Sequence, residues 1–157
     1  MPFLSAAGLQ IPEANGDLGA IVISQKDTLK HRVFIADDQE DMLRAAAIAL
    51  EDDFQVIGTA GNGRDVLRLV PALCPEVLVL DIVMPMLNGI ETASRLRSSG
   101  SAVRIVFLTV HEDCDFLDAA VSAGGQAYVL KSHLATDLVP AIESVLKGRS
   151  FVSPCIS

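Results

Sequence analysis

The sequence predicts an α/β protein: a doubly wound parallel sheet with helices on both faces. Two observations carry this. Five short apolar runs rich in β-branched residues recur between residues 33 and 130, and each is followed by a segment with helical spacing of its apolar residues. The runs are apolar almost throughout rather than alternating, which suits strands covered on both faces. Strand–helix alternation repeated in this way builds parallel sheets through right-handed crossovers.

The first run, 33–36, precedes a helical stripe of Leu43, Ala46, Ala47 and Leu50. The second, 56–58, precedes Val66, Leu67 and Val70; it carries Gln55 and is the least apolar, as an edge strand can be. The third, 77–80, leads to a shorter, weakly patterned helix over 91–98. The fourth, 105–108, precedes Phe116, Leu117, Ala120 and Val121, and the fifth, 127–130, precedes Leu138, Ala141, Ile142 and Val145. Five strands fit the flavodoxin-like order 2-1-3-4-5. Residues 1–30 break the rhythm with Pro2, Pro12 and three glycines, and are expected to be a loosely ordered N-terminal extension. Within them "AIVIS" (20–24) reads as a short strand or a sticky piece of a mobile arm.

Composition narrows the function. The chain has 157 residues, half of them hydrophobic, with 4% aromatics and no Trp, so one domain with an aliphatic core is expected. A net charge of −8 disfavours direct contact with phosphate backbones. The three cysteines, Cys74, Cys114 and Cys155, match no zinc spacing and read as reduced thiols. No apolar run approaches the roughly 18 residues of a membrane span. The N-terminus lacks the basic and apolar regions of a secretory signal, so a cytoplasmic location is expected.

In doubly wound sheets ligands bind beyond the carboxyl ends of the strands. Asp37 and Asp38 follow the first strand, Asp81 the third, Thr109 ends the fourth and Lys131 the fifth. Singly, each has an ordinary reading. An Asp-Asp pair caps a helix, a terminal Thr is unremarkable, and a Lys is a solvated charge. Together they suggest one chemistry. Crowded carboxylates need a cation, and all-oxygen ligands favour Mg²⁺, which leaves positions for phosphoryl oxygens. Lys131 supplies a compact positive charge and Thr109 a hydroxyl donor. A carboxylate can itself be the nucleophile that yields an aspartyl-phosphate. "GNGR" (61–64) lacks the third glycine of a dinucleotide fingerprint and reads as a loop.

Four segments, "VFIADDQEDML" (33–43), "VLVLDIVMPMLNGIE" (77–91), "IVFLTVHED" (105–113) and "AYVLKS" (127–132), resemble the receiver domain of two-component response regulators. The resemblance covers about residues 31–148, and its intervals, 43 residues from Asp38 to Asp81, 28 to Thr109 and 22 to Lys131, are close to the family's. It implies that Asp81 accepts a phosphoryl group from a phosphohistidine of a sensor histidine kinase. It implies that Asp38 and Asp81 bind Mg²⁺ directly, Asp37 through water, and the carbonyl of Val83 as a further ligand. Thr109 and Lys131 are then expected on the phosphoryl oxygens, and Tyr128 as an aromatic that turns inward when Thr109 moves. The alternative for Tyr128 is a packed strand residue. Phosphorylation is expected to change the surface of the fourth helix, fifth strand and fifth helix. That surface, or the face of the first and fifth helices, is expected to pair with a second copy or bind a partner.

Two departures stand out. Val110 follows Thr109 where the family usually has a small residue, and is expected to restrict access to Asp81. Ser132 follows Lys131 where many receivers have proline, so a more mobile loop is expected there. His111 reads as an exposed loop histidine, the alternative being a residue that influences how water reaches the phosphate. "KGRSFVSP" (147–154) resembles the segment by which NarL/LuxR-type receivers lead into a helix-turn-helix domain; residues 149–157 are accordingly expected to be a tail. The chain is expected to be a stand-alone receiver or one cut at a linker, reaching DNA only through an output domain outside it, and transcription is the expected output. Besides this phosphorylation switch, a protein-binding module that acts unphosphorylated fits the same residues. An aspartyl-phosphate phosphatase fits less well, since Val83 stands where such enzymes place a second Asp.

Overall fold

A computed structural model describes residues 30–154, and the "AIVIS" stretch and Cys155 lie outside them. The strands are β1 (His31–Ala36), β2 (Phe54–Ala60), β3 (Val77–Leu80), β4 (Arg104–Thr109), β5 (Ala127–Leu130) and β6 (Phe151–Val152). The helices are α1 (Glu40–Leu50), α2 (Gly63–Leu73), α3 (Gly89–Ser98), α4 (Cys114–Ser122) and α5 (Leu134–Leu146), with a 3₁₀ turn at Lys131–His133. The sheet order is β2-β1-β3-β4-β5-β6. The doubly wound reading therefore holds, and β2 is an edge. Among the described residues the sheet has six strands rather than five, because part of the expected tail returns to pair with β5.

Register explains why the strands are apolar on both sides. Val33 pairs with Val77 and Phe34 with Leu78; Leu78 in turn lies opposite Ile105. Side chains alternate across a strand. Val33, Ile35, Val77, Val79, Val106, Leu108 and Val129 therefore face Ala46, Leu50, Leu138, Ala141 and Ile142 of α1 and α5. Phe34, Leu78, Leu80, Phe107 and Tyr128 face Val66, Val70, Ala93, Leu96 and Ala120 of α2, α3 and α4. One stripe differs from expectation. Val121 is 57% exposed, because α4 buries the face of Phe116, Ala120 and Ala123, spaced four and three residues apart, and Val121 lies about 100° off it.

Helix starts follow local chemistry. Asn62, Asn88 and Asp113 cap α2, α3 and α4, each accepting from a backbone N–H three residues on: Asp65 at 2.8 Å, Glu91 at 2.8 Å and Phe116 at 3.1 Å. "GNGR" is thus a loop that opens a helix. Its Gly63 leaves no room for a side chain, since a Cβ would press on the Thr92 hydroxyl and the Leu87 carbonyl.

Candidate functional site

Hydrogen bonds between neighbouring strand ends bring the acids together. Asp37 N donates to Ala60 O at 2.9 Å and Asp81 N to Ala36 O at 3.0 Å, so each acid leaves its strand beside the next. Asp37 and Asp81 are buried and Asp38 is exposed. Carboxylate oxygens of all three lie within 4.8 Å of one another. Lys131 reaches in from the end of β5. Its Nζ lies 2.7 Å from Asp37 Oδ2 and 3.2 Å from Asp81 Oδ2, with only 9% of its side chain exposed.

Protonation follows from this crowding. Burial, then the charge of Asp37, pushes the Asp81 carboxyl up from 3.8 to about 6, against the opposing pull of Lys131 and of the Val83 N–H. Burial alone would lower the Lys131 pKa; its close pairing with Asp37 and Asp81 outweighs that and raises it. The ammonium stays charged and the two acids share it.

The donor set fits a hard divalent cation: three carboxylates, all oxygen, on one rim. A second observation agrees. Asp37 Oδ1 accepts from Gln39 N at 2.9 Å, whereas buried Asp37 Oδ2 has an ion-pair neighbour but no aligned hydrogen-bond donor. Gln39 was not singled out by the sequence reading. Its Oε1 lies 3.5 Å from Lys131 Nζ, and its place directly after Asp38 was the available signal.

Thr109 stands on the same rim, fully buried, with its Oγ1 accepting from His111 N at 3.2 Å. Tyr128 is also buried, and its hydroxyl donates to His111 O at 2.8 Å. His111 thus holds both, and it is not an exposed loop residue. Its ring stacks on Phe116 with centroids 3.8 Å apart, and its Nε2 is buried. A five-residue separation from a loop into the first turn of α4 gave no periodic signal for this stack. Val110 points outward, 66% exposed, and Val83 is 57% exposed. The Lys131 loop closes as a single 3₁₀ turn.

Tyr128 gives a direct check. Burial, then the nearby Asp113 carboxylate, raises its phenol from 10.0 to about 12, with the Thr109 hydroxyl opposing. It is the only tyrosine, so tyrosinate absorbance follows it alone. The alkaline midpoint is expected near 12; an ordinary midpoint would mean that the ring faces solvent. Because folding raises this pKa, Tyr128 supports the fold below its ordinary value, and that support is lost as pH climbs through the raised one.

A parallel β2-β1-β3-β4-β5-β6 sheet with a three-acid pocket and a buried lysine at its carboxyl rim defines an α/β domain whose pocket suits a hard divalent cation. The family described as the response regulator receiver domain matches residues 33–143, and the chain belongs to it. Among its relatives, the uncharacterized transcriptional regulatory protein YvfU of Bacillus subtilis is 37% identical over 78% of this chain and 62% of its own length. The transcriptional regulatory protein DesR of the same organism is 35% identical over 78% and 61%. The chain therefore spans about three fifths of these relatives. Among solved structures, a LuxR-family two-component response regulator from Aurantimonas sp. SI85-9A1 aligns with a TM-score of 0.77 and 31% identity, covering 81% of this chain and 92% of that one. The isolated receiver domain of RcsB from Salmonella enterica serovar Typhimurium, solved with the phosphomimetic BeF₃⁻, aligns with a TM-score of 0.75 and 26% identity, covering 81% and 96%. Receiver domains of this kind are regulatory rather than classical enzymes. Among the described residues no helix is long and apolar enough to cross a membrane.

Proposed function

We propose that Asp81 is the phosphoacceptor of a signalling switch fed by a sensor histidine kinase. The observation that carries this is the buried Asp81 carboxylate at the end of an apolar strand, sharing the Lys131 ammonium with Asp37. One carboxylate oxygen attacks the phosphorus of a phosphohistidine, the P–N bond breaks as the O–P bond forms, and the imidazole leaves with the electron pair. Lys131 is a compact point charge for the phosphoryl oxygens, and the Thr109 hydroxyl can exchange its His111 partner for another. Asp37, Asp38 and Asp81, with the Val83 carbonyl, would hold Mg²⁺, which supplies neutralising charge.

The surface of α4, β5 and α5 then responds through Tyr128, whose hydroxyl already grips the loop after β4. A second copy, through that surface or the face of α1 and α5, or an attached output domain that binds DNA, receives the change. Transcriptional control is the output that the relatives' names support. The inward, hydrogen-bonded Tyr128 also favours a second reading, in which the binding surface forms without phosphorylation.

The test is incubation with a small phosphodonor and Mg²⁺, and separately with beryllium fluoride and Mg²⁺. The switch reading expects one acid-labile phosphate per chain and amide shifts in residues 105–113. Neither labelling nor shifts would leave only the second reading standing.

A further inference from the structure

β5 carries both Tyr128 and the approach to Lys131. In a five-stranded sheet its outer side would be open. Here the chain returns after α5 and closes that side. Phe151 and Val152 lie opposite Ala127 and Tyr128. Phe151 N donates to Gln126 O at 3.3 Å and Ser153 N to Tyr128 O at 2.9 Å. The strand pairing ends there, before Leu130. The Ser153 side chain takes over, its Oγ accepting from Leu130 N at 3.1 Å and donating to Asp137 Oδ2 at 2.8 Å.

Ser153 is 1% exposed, so water does not replace a lost partner. Asp137 lies in the first turn of α5. Its Oδ1 accepts from Thr136 Oγ1 at 3.1 Å, and its Oδ2 lies 3.4 Å from Nδ1 of His133, in the turn that begins at Lys131. One hydroxyl therefore ties the residue before Lys131 to the helix after it.

We infer that Ser153 and Asp137 are positioning residues: they clamp the end of β5 so that Lys131 is held for the phosphoryl group, and they make residues 151–154 follow its displacement. This rests on Asp81 being the phosphoacceptor. Movement of Lys131 toward a phosphoryl group draws Leu130 with it. The Leu130 amide then either carries Ser153 along or breaks the buried bond, and both outcomes register in the segment through which the chain leaves the sheet.

The experiment is amide exchange on the whole chain, with and without Mg²⁺ and beryllium fluoride, for the parent, Ser153→Ala, Ser153→Thr and Asp137→Asn. In the parent, beryllium fluoride is expected to change exchange at Leu130 and Ser153 together with residues 105–113. In Ser153→Ala, Leu130 is expected to exchange about tenfold faster in both states. The response of 151–154 is expected to vanish and beryllium fluoride to bind more weakly, while residues 105–113 still respond. Ser153→Thr keeps the hydroxyl and should restore both. Asp137→Asn should weaken the response without abolishing the fold. A parent whose 105–113 respond while Leu130 and Ser153 do not overturns the clamp alone, as does Ser153→Ala with parental affinity. Silence at every position overturns the reading of Asp81, and the clamp with it.

Discussion

Asp81→Asn is expected to gain no acid-labile phosphate, a loss on the order of 100-fold or more, because the amide removes the nucleophile and leaves the pocket's shape. The same variant is expected to be more stable than the parent at neutral pH without added metal. The unfolded chain's aspartate titrates near 3.8, and burial beside Asp37 raises the folded value to about 6. The folded protein therefore holds this proton more tightly. The stability it brings is fully present below the unfolded value and is lost as pH rises through the folded one. A shift of this size corresponds to at most about 3 kcal/mol, and Lys131 keeps Asp37 as a partner in the variant, so a gain of about 1–3 kcal/mol is expected. The gain should shrink on acidification toward about pH 4. Urea midpoints of the two proteins across that range check this. A variant that labels like the parent would move the phosphoacceptor elsewhere; equal stability at all pH would show that Asp81 carries no strain.

Gly89→Ala is expected to cost about 3 kcal/mol and to weaken Mg²⁺ binding about tenfold. Gly89 N donates to Ile82 O at 2.6 Å, folding the loop after β3 tightly against the start of α3. A Cβ there would press on the carbonyl oxygen of Asp81 and come within 2.9 Å of Ile82 Cα. Both are backbone atoms, which yield only if the segment bearing the phosphoacceptor moves. Gly61→Ala is the control: the nearest atoms to its Cβ are 3.9 and 4.0 Å away, so a change within about 0.5 kcal/mol is expected. Denaturant midpoints and Mg²⁺ titration of both variants provide the comparison. Parental values for Gly89→Ala would show that the loop has room.

The sequence made the site legible because its residues are strand ends. A carboxylate placed directly after four apolar residues leaves a buried strand at the sheet's rim whatever the loops do. Asp37, Asp81 and Lys131 were therefore locatable from run lengths alone. β6 was not legible, since two residues carry no periodicity and its pairing depends on where α5 releases the chain. Nor were the ties of Ser153 to Leu130 and Asp137, which join residues 23 and 16 positions apart. The His111–Phe116 stack was hidden for a similar reason: packing of a loop ring against the first turn of a helix follows from backbone direction, which composition does not encode. Val121 was misplaced because a helix with one fully buried residue offers several equally good apolar faces.

The returning C-terminal strand also bears on solubility. The resemblance to receiver domains ends near residue 148, and a protein trimmed there loses Phe151–Val152. It would then present Ala127–Leu130, four apolar residues with unmet amides and carbonyls, to every other copy in solution. A two-residue border is too short to template a neighbour, whereas a four-residue one invites self-association beside the very lysine whose placement matters. Edge-to-edge association through β5 is therefore expected to rise in a protein trimmed at 148, while β2 remains the other edge in both.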